Sequence, residues 1–186
     1  MTALDIDSIR KPMFETHTSG VHHTLSWRKA QLSKISTLIT THETDFLQAL
    51  HADLNKESTE AMYTELMGVQ GEIKRILQDL PTWMKPQQVS TIAPIAPCQC
   101  EVRSVPLSPP GCFVIGPFNY PVLLSLLPVI GALAGGNPVV LKPSELSSHV
   151  SELFAKLVPR YFEKGVFQGK SYISVSFIHI FFRTVL

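Results

Sequence analysis

Two short apolar runs, CFVIG at 112–116 and PVVLK at 138–142, most constrain how this chain can fold. Each run is continuously apolar, which is typical of a strand that is buried on both faces of a parallel sheet. The residues between them predict a helix from near Pro121 to Gly135–Gly136, because proline favours the first turn of a helix and glycine its end. The predicted order is therefore strand, helix, strand, as a parallel crossover requires.

A second amphipathic helix, at 147–162, follows the second run, so the pattern becomes β-α-β-α. This pattern is typical of the first part of a Rossmann-like nucleotide-binding domain, which we predict over 109–168. Apolar residues at helical spacing predict an N-terminal helical segment over 1–85. Residues 86–108 are rich in proline and β-branched side chains and predict extended arm or linker strands. The predicted fold class is thus α/β, with a helical segment before a partial Rossmann-like unit.

Single residues predict three boundaries within the helical segment. Thr40 and Glu43 match a capping box, so a helix is predicted to start at Thr40. A later helix, over roughly 59–80, is predicted to stop before Pro81, and Pro12 is predicted to kink or delay the first helix.

The composition excludes several classes of protein. Hydrophobic residues at 45% and charged residues at 17% exclude a disordered chain. Sixteen basic against fifteen acidic residues leave no basic surface for nucleic acid. Three cysteines are too few for a disulfide framework, and no stretch reaches the ~20 apolar residues of a membrane span. We therefore expect a cytoplasmic protein.

Parallel α/β sheets bind ligands at the carboxyl ends of their strands, and a polar turn follows each predicted strand. In the first turn, the amide of Asn119 can donate two hydrogen bonds to a developing oxyanion; alternatively Asn119 caps the helix, with Pro121 in its first turn. In the second turn, Lys142 offers donors to hydroxyls or phosphate, and Glu145 can accept from both hydroxyls of a ribose. The alternative there is a solvated lysine and a glutamate that is favoured by a nearby helix N-terminus.

Residues 109–162 resemble the aldehyde dehydrogenase superfamily, specifically its class 3 or fatty-aldehyde branch. Three motifs at the expected separation carry this resemblance, which runs to about residue 168, and two shorter matches lie upstream. The motifs are NYP at 119–121, AxxxGN at 132–137 and KPSE at 142–145, with ADLNK at 52–56 and LPTW at 80–83 upstream.

The resemblance implies oxidation of an aldehyde to a carboxylic acid with NAD or NADP. It implies that Asn119 and a backbone N–H of the catalytic cysteine hold the oxyanion, and that Phe118 lies beside the nicotinamide. The adenosine ribose would be bound by Lys142 and Glu145, whose carboxylate favours NAD by repelling a 2′-phosphate, although members of this branch often accept both cofactors. Besides Asn119 as catalytic residue and no metal site, the implied cofactor-binding residues are Ile115, Gly116, Pro117, Phe118, Lys142, Pro143, Ser144 and Glu145.

The family also uses a cysteine nucleophile in a G-Q-x-C type loop, a general-base glutamate in an E-L-G-G type segment and a G-x-T-x-x-G type loop. None of these motifs occurs in the 186 residues. Cys98, Cys100 and Cys112 precede Asn119 and match no nucleophile, so we predict free structural thiols. We therefore expect a chain that is truncated before its catalytic machinery and inactive alone.

Two other functions stay open. The chain could be a non-catalytic interaction module that pairs with a full-length homologue, since residues 98–105 match the strand arm through which the family forms dimers. It could also be a residual binder of the cofactor. His17 and His22–His23 are predicted to be solvated rather than metal ligands.

Residues 169–186 diverge from the family. The codons compatible with Gly169–Ser171 can contain a splice-donor sequence, so one hypothesis is that this tail is translated intron. Membrane attachment of a full-length relative is left open as well.

Overall fold

The computed structural model describes residues 6–90, 97–107 and 109–170. Its N-terminal layer comprises α1 (Ile6–Thr18), a 3-10 turn (Val21–His23), α2 (Leu25–Thr41), α3 (Glu43–Leu54), α4 (Ser58–Ala61), a π-helical turn (Met62–Leu66) and α5 (Met67–Trp83). The remaining elements are β1 (Gln87–Val89), β2 (Cys100–Val102), β3 (Cys112–Ile115), α6 (Leu123–Ala134), β4 (Val139–Lys142), α7 (Ser148–Tyr161) and β5 (Phe167–Gly169).

Strands β3, β4 and β5 form a parallel sheet in that order. Val139 and Leu141 of β4 belong to the main core, whereas Val140 packs against Ile9 and Met13 of α1. The central strand is therefore buried on both faces, which explains why its sequence is continuously apolar. The predicted α/β class and the β-α-β-α order are confirmed.

The helical layer packs against α6 and α7 in one shared core. Phe46 of α3 and Phe154 of α7 are both fully buried, and their ring centroids lie 5.6 Å apart. Burying two phenylalanine side chains stabilises this contact by about 1.5–3 kcal/mol each. The layer thereby fixes the two helices that follow the polar turns.

The predicted end of α6 at Gly135–Gly136 is confirmed. Gly136 has φ +82, and a Cβ there would lie 2.8 Å from both the His22 carbonyl oxygen and a guanidinium nitrogen of Arg28. Glycine is required for both reasons. Arg28 donates to the Ala134 carbonyl at 3.0 Å, which docks the end of α6 on α2.

The predicted capping box at Thr40 and Glu43 is wrong. Thr40 lies inside α2, and its hydroxyl accepts a hydrogen bond from Gln70 of α5 at 3.1 Å. The break falls at His42, which has φ −113 and ψ 25 and makes no side-chain cap. The bond between helices thus takes up the hydroxyl that the predicted cap would use.

The prediction that a helix stops before Pro81 is also wrong, because α5 continues through Pro81 to Trp83. The Met84 N–H donates to the Leu80 carbonyl at 3.1 Å and closes the last turn. Proline costs one hydrogen bond in this turn without ending it. Pro12 likewise lies inside α1, which is assigned as one helix from Ile6 to Thr18.

The prediction that the histidine group is solvated is wrong for His22. Its side chain is fully buried, and its ring lies 4.8 Å from that of His17 and 4.3 Å from that of His23. Nδ1 of His22 lies 3.2 Å from the Thr16 carbonyl, to which it donates in the matching tautomer. Burial and the two neighbouring imidazoles hold the pKa of His22 below its usual value.

The arm is a two-stranded antiparallel sheet, in which Gln87 pairs with Val102 and Val89 with Cys100. Val89 and Val102 are exposed. No helix within the described ranges is long and apolar enough to cross a membrane. The predicted intron-derived tail begins at Gly169, which ends β5 and pairs with Leu141, and its residues 171–186 lie outside the described residues.

Candidate functional site

The two polar turns lie side by side at the carboxyl edge of the sheet. Ile115 pairs with Lys142 in register, and the Gly116 N–H donates to the Lys142 carbonyl at 2.9 Å. A Cβ on Gly116 would lie 2.1 Å from the Ser125 hydroxyl oxygen, so only glycine fits between β3 and α6. Parallel strands that end level therefore place residues 116–119 next to residues 142–145.

The first turn exposes both apolar and amide groups. Ile115 is 58% exposed and Phe118 is 48% exposed. Asn119 is exposed, and its side-chain amide makes no hydrogen bond within the part of the chain that the structure describes. This combination of apolar surface with a free donor is typical of a ligand site rather than of a packed core.

The second turn carries an ion pair. Lys142 Nζ donates to Glu145 Oε2, and the Lys142 side chain is 18% exposed against 71% for Glu145. The hydrogen bond from Lys142 holds the pKa of the Glu145 carboxyl below its usual range, so Glu145 is an anion at neutral pH. Pro143 and Ser144 are buried, and the Ser144 hydroxyl accepts from the Leu146 N–H at 3.2 Å, which assigns both a role in shaping the turn.

The alternative in which Asn119 caps α6 is wrong. The helix begins at Leu123, and the residue at its N-cap position is Val122, whose side chain makes no cap. The Val122 and Leu123 N–H groups instead donate to Glu65 Oε2 at 2.9 and 3.0 Å. A carboxylate from the helical layer thus caps α6, and the cap does not use the Asn119 amide.

Glu65 is a support of the first turn that the sequence analysis missed. Its side chain is fully buried, and Lys56 Nζ donates to its Oε1 at 2.6 Å. Lys56 Nζ also donates to the Asn119 carbonyl at 3.2 Å and lies 3.9 Å from the centroid of the Tyr120 ring. A signal was present, because Ala61, Glu65 and Val69 are spaced four apart on a buried helical face and the middle one is charged.

The second turn has a similar support. Asp53 accepts from the His149 N–H at 3.0 Å and from the Val150 N–H at 2.9 Å, at the start of α7. Its Oδ1 also lies 2.7 Å from Nδ1 of His149. Both helices that leave the candidate site therefore begin on a carboxylate from the N-terminal layer.

The cysteines lie away from this edge. Cys112 stands at the amino end of β3, opposite the end that carries Asn119, and Cys98 and Cys100 belong to the arm. All three are free, as predicted. Burial raises the pKa of the Cys112 thiol, which disfavours the thiolate that a nucleophile needs. The described ranges hold no group of three or more His, Cys, Asp or Glu side chains that could bind a metal ion.

A parallel β-α-β-α unit with polar turns at its strand ends is typical of Rossmann-like α/β domains. The chain belongs to the aldehyde dehydrogenase family: the family model of that description matches residues 2–170. The chain is 36% identical over 149 residues to the dog protein named aldehyde dehydrogenase, dimeric NADP-preferring. The aligned residues are 80% of this chain and 32% of the dog protein.

The predicted resemblance to the class 3 branch is confirmed by such relatives. Aldehyde dehydrogenase family 3 member H1 of Arabidopsis thaliana is 40% identical over 144 residues, covering 77% of this chain and 29% of its own length. The solved substrate-bound state of Staphylococcus aureus AldH superposes with a TM-score of 0.86 at 29% identity, over 97% of this chain and 38% of that one. The chain spans about a third of the length of the curated relatives it matches.

Proposed function

We propose that this chain supplies one wall of the cofactor and oxyanion site of an NAD(P)-dependent aldehyde dehydrogenase, which oxidises an aldehyde to a carboxylic acid. The observation that carries the proposal is the hydrogen bond from the Gly116 N–H to the Lys142 carbonyl, at 2.9 Å. It makes one continuous surface of the turn that carries Asn119 and the turn that carries Glu145.

The residues present fit a dinucleotide. Gly116 lets the end of β3 lie close against α6, and the exposed Ile115 and Phe118 offer apolar contact to a flat ring. Lys142 would donate to ribose hydroxyls and Glu145 would accept from them. When bound, the cofactor supplies the acceptor for the hydride that leaves the substrate carbon.

Asn119 has the role of an oxyanion donor in this proposal. Addition of a nucleophile to an aldehyde carbonyl places negative charge on the carbonyl oxygen, and a preorganised amide donor stabilises that charge. Asn119 is exposed, and its amide has no hydrogen-bond partner among residues 6–90, 97–107 and 109–170, as this role requires. The covalent step needs a thiolate and a general base that these 186 residues do not match, so we expect the chain alone to be inactive.

Calorimetric titration of the 186-residue chain with NAD tests this proposal. We expect saturable binding that the Lys142→Met variant weakens about fivefold or more, because it loses a charged donor to the ribose. The matched control is Lys156→Met, on an exposed position of α7. Absence of saturable binding at millimolar NAD, or equal losses in both variants, would contradict the proposal.

The carboxylate of Glu145 gives a second test that does not depend on absolute affinity. We expect Glu145→Gln to shift the ratio of the NADP and NAD dissociation constants about fivefold in favour of NADP, because it removes the charge that faces a 2′-phosphate. Glu152→Gln, exposed on α7, is the control. An unchanged ratio in Glu145→Gln would remove Glu145 from the ribose site.

A second candidate function is pairing with a full-length homologue as a non-catalytic module. The exposed apolar residues of the arm favour it, since Val102, Val105 and Leu107 are 57%, 74% and 60% exposed. Light scattering of the chain mixed with a tagged family member tests it: a stable complex that Val105→Asp disrupts would support pairing, and separate elution would contradict it. A cytoplasmic location remains a prediction, to be tested by imaging the tagged protein.

A further inference from the structure

The turn that carries Asn119 packs on a buried ion pair, Lys56 with Glu65. Lys56 is 8% exposed and Glu65 is fully buried, and their charged atoms lie 2.6 Å apart. Burying two charges costs several kcal/mol of desolvation, so such a pair is weak evidence for stability in itself. We therefore ask which neighbouring groups the pair holds in place.

Within the described residues, the other side-chain contacts of the pair go to the Asn119 turn or to the start of α6 behind it. Lys56 donates to the Asn119 carbonyl and lies over the Tyr120 ring, while Glu65 accepts from the Val122 and Leu123 N–H groups. The pair therefore holds the backbone on both sides of Tyr120. Its contact with Asn119 is to the backbone carbonyl and does not use the side-chain amide.

The local sequence explains how Lys56 and Glu65 reach this turn. Asn55 adopts the left-handed conformation, φ 52, which ends α3 and redirects the chain into Lys56. Glu65 lies in the π-helical turn, where the extra residue per turn offsets the helix face. Both irregularities place a charged side chain beneath the sheet edge.

We propose that Lys56 and Glu65 are positioning residues for Asn119, fixing the height and orientation from which its amide meets an oxyanion. This rests on the proposed function, in which Asn119 is the oxyanion donor. Lys56 supplies the bond to the Asn119 carbonyl, and Glu65 anchors both Lys56 and the start of α6. Neither residue touches the reacting atoms.

Backbone order parameters from ¹⁵N relaxation of the 186-residue chain test the proposal, since they report the native state and not its global stability. We expect a value of about 0.85 for the Asn119 N–H in the wild type and below about 0.6 in Lys56→Met, with Ser144 unchanged. Lys56→Arg keeps a positive charge and hydrogen-bond donors at this position, and should restore the order of Asn119. Arg75→Met, which breaks the exposed pair of Arg75 with Glu72, is the control and should leave Asn119 rigid.

Two results would overturn the proposal: an unchanged Asn119 in Lys56→Met, or an equal loss of order at Asn119 and Ser144. If Lys56→Met does not fold, the double variant K56M/E65Q removes both charges while the amide oxygen introduced by E65Q can still accept from the helix start. In that variant we expect order at Leu123 with mobility at Asn119, and rigidity at both would overturn the proposal. No readout needs NAD, so a chain that binds none yet loosens in Lys56→Met refutes the proposed function alone.

Discussion

The junctions at the starts of α6 and α7 both donate backbone N–H groups to a carboxylate, but the two carboxylates have different charged partners. Neither helix has a capping side chain of its own, so each begins on a carboxylate from the N-terminal layer. At α6 the carboxylate is Glu65, fully buried against Lys56. At α7 it is Asp53, with a side chain that is 2% exposed, and its partner His149 is 58% exposed.

The difference lies in what each partner does. A lysine buried with its counter-ion cannot be removed without leaving a charge in the core, so the first junction depends on both charged partners. An exposed histidine is screened by water, so the second junction depends on the two backbone N–H groups that Asp53 accepts. The turn proposed for the oxyanion is thus supported by a buried ion pair, and the turn proposed for the ribose is supported mainly by hydrogen bonds to backbone N–H groups.

The largest effect should come from breaking the buried pair. We expect Lys56→Met to lower the free energy of unfolding by about 3–5 kcal/mol, because the Glu65 carboxylate is left buried without a cation. Urea denaturation followed by circular dichroism measures this. The exposed control Arg75→Met should cost about 0.5 kcal/mol or less, and equal losses in the two variants would contradict the contrast between the junctions.

A smaller effect should follow at the second junction. We expect Asp53→Ala to cost about 1–2 kcal/mol, since it leaves two N–H groups at the start of α7 without their acceptor. His149→Ala keeps those two bonds and should cost about 0.5 kcal/mol or less. The same denaturation assay compares them, and a His149→Ala loss as large as that of Asp53→Ala would show that the side-chain pair, not the cap, supports this turn.

The smallest effect is a pH dependence of stability that comes from the buried His22 and not from either junction. The pKa of His22 is held below the usual 6.5, so the unfolded chain binds its proton at a higher pH than the folded chain. Stability should be full above pH 6.5 and fall as the pH drops below it. We expect this fall in melting temperature as the pH drops from about 6.5 to about 5, and His22→Asn should flatten it. An equally steep fall in His22→Asn would show that a group other than His22 causes the pH dependence.

The sheet and its turns were predictable because their causes are local. The β4 run is apolar at every position since Val140 packs on α1 while Val139 and Leu141 face the main core. Because β3 and β4 end level, Ile115 and Lys142 lie side by side, and no long-range contact is needed to predict this. The proximity of the two turns follows from these facts alone.

The supports of the turns were not predictable by the same route, because their bonds span 57 and 63 residues. The prediction that Asn119 caps α6 considered only nearby residues, whereas the actual acceptor is Glu65, far away in the sequence. His22 was misjudged for a similar reason, since its burial depends on contacts with His17 and His23 that helical spacing does not reveal. A charged residue at a buried helical position, as at Glu65, is the signal to follow in such sequences.

Chemical-shift mapping of the ¹⁵N-labelled chain during titration with NAD tests the central claim most directly, that the two turns form one dinucleotide site. We predict that the amides of Ile115 and Gly116 shift together with those of Lys142 and Glu145, along one saturation curve. Shifts confined to one turn, or saturable shifts elsewhere with both turns silent, would contradict the account.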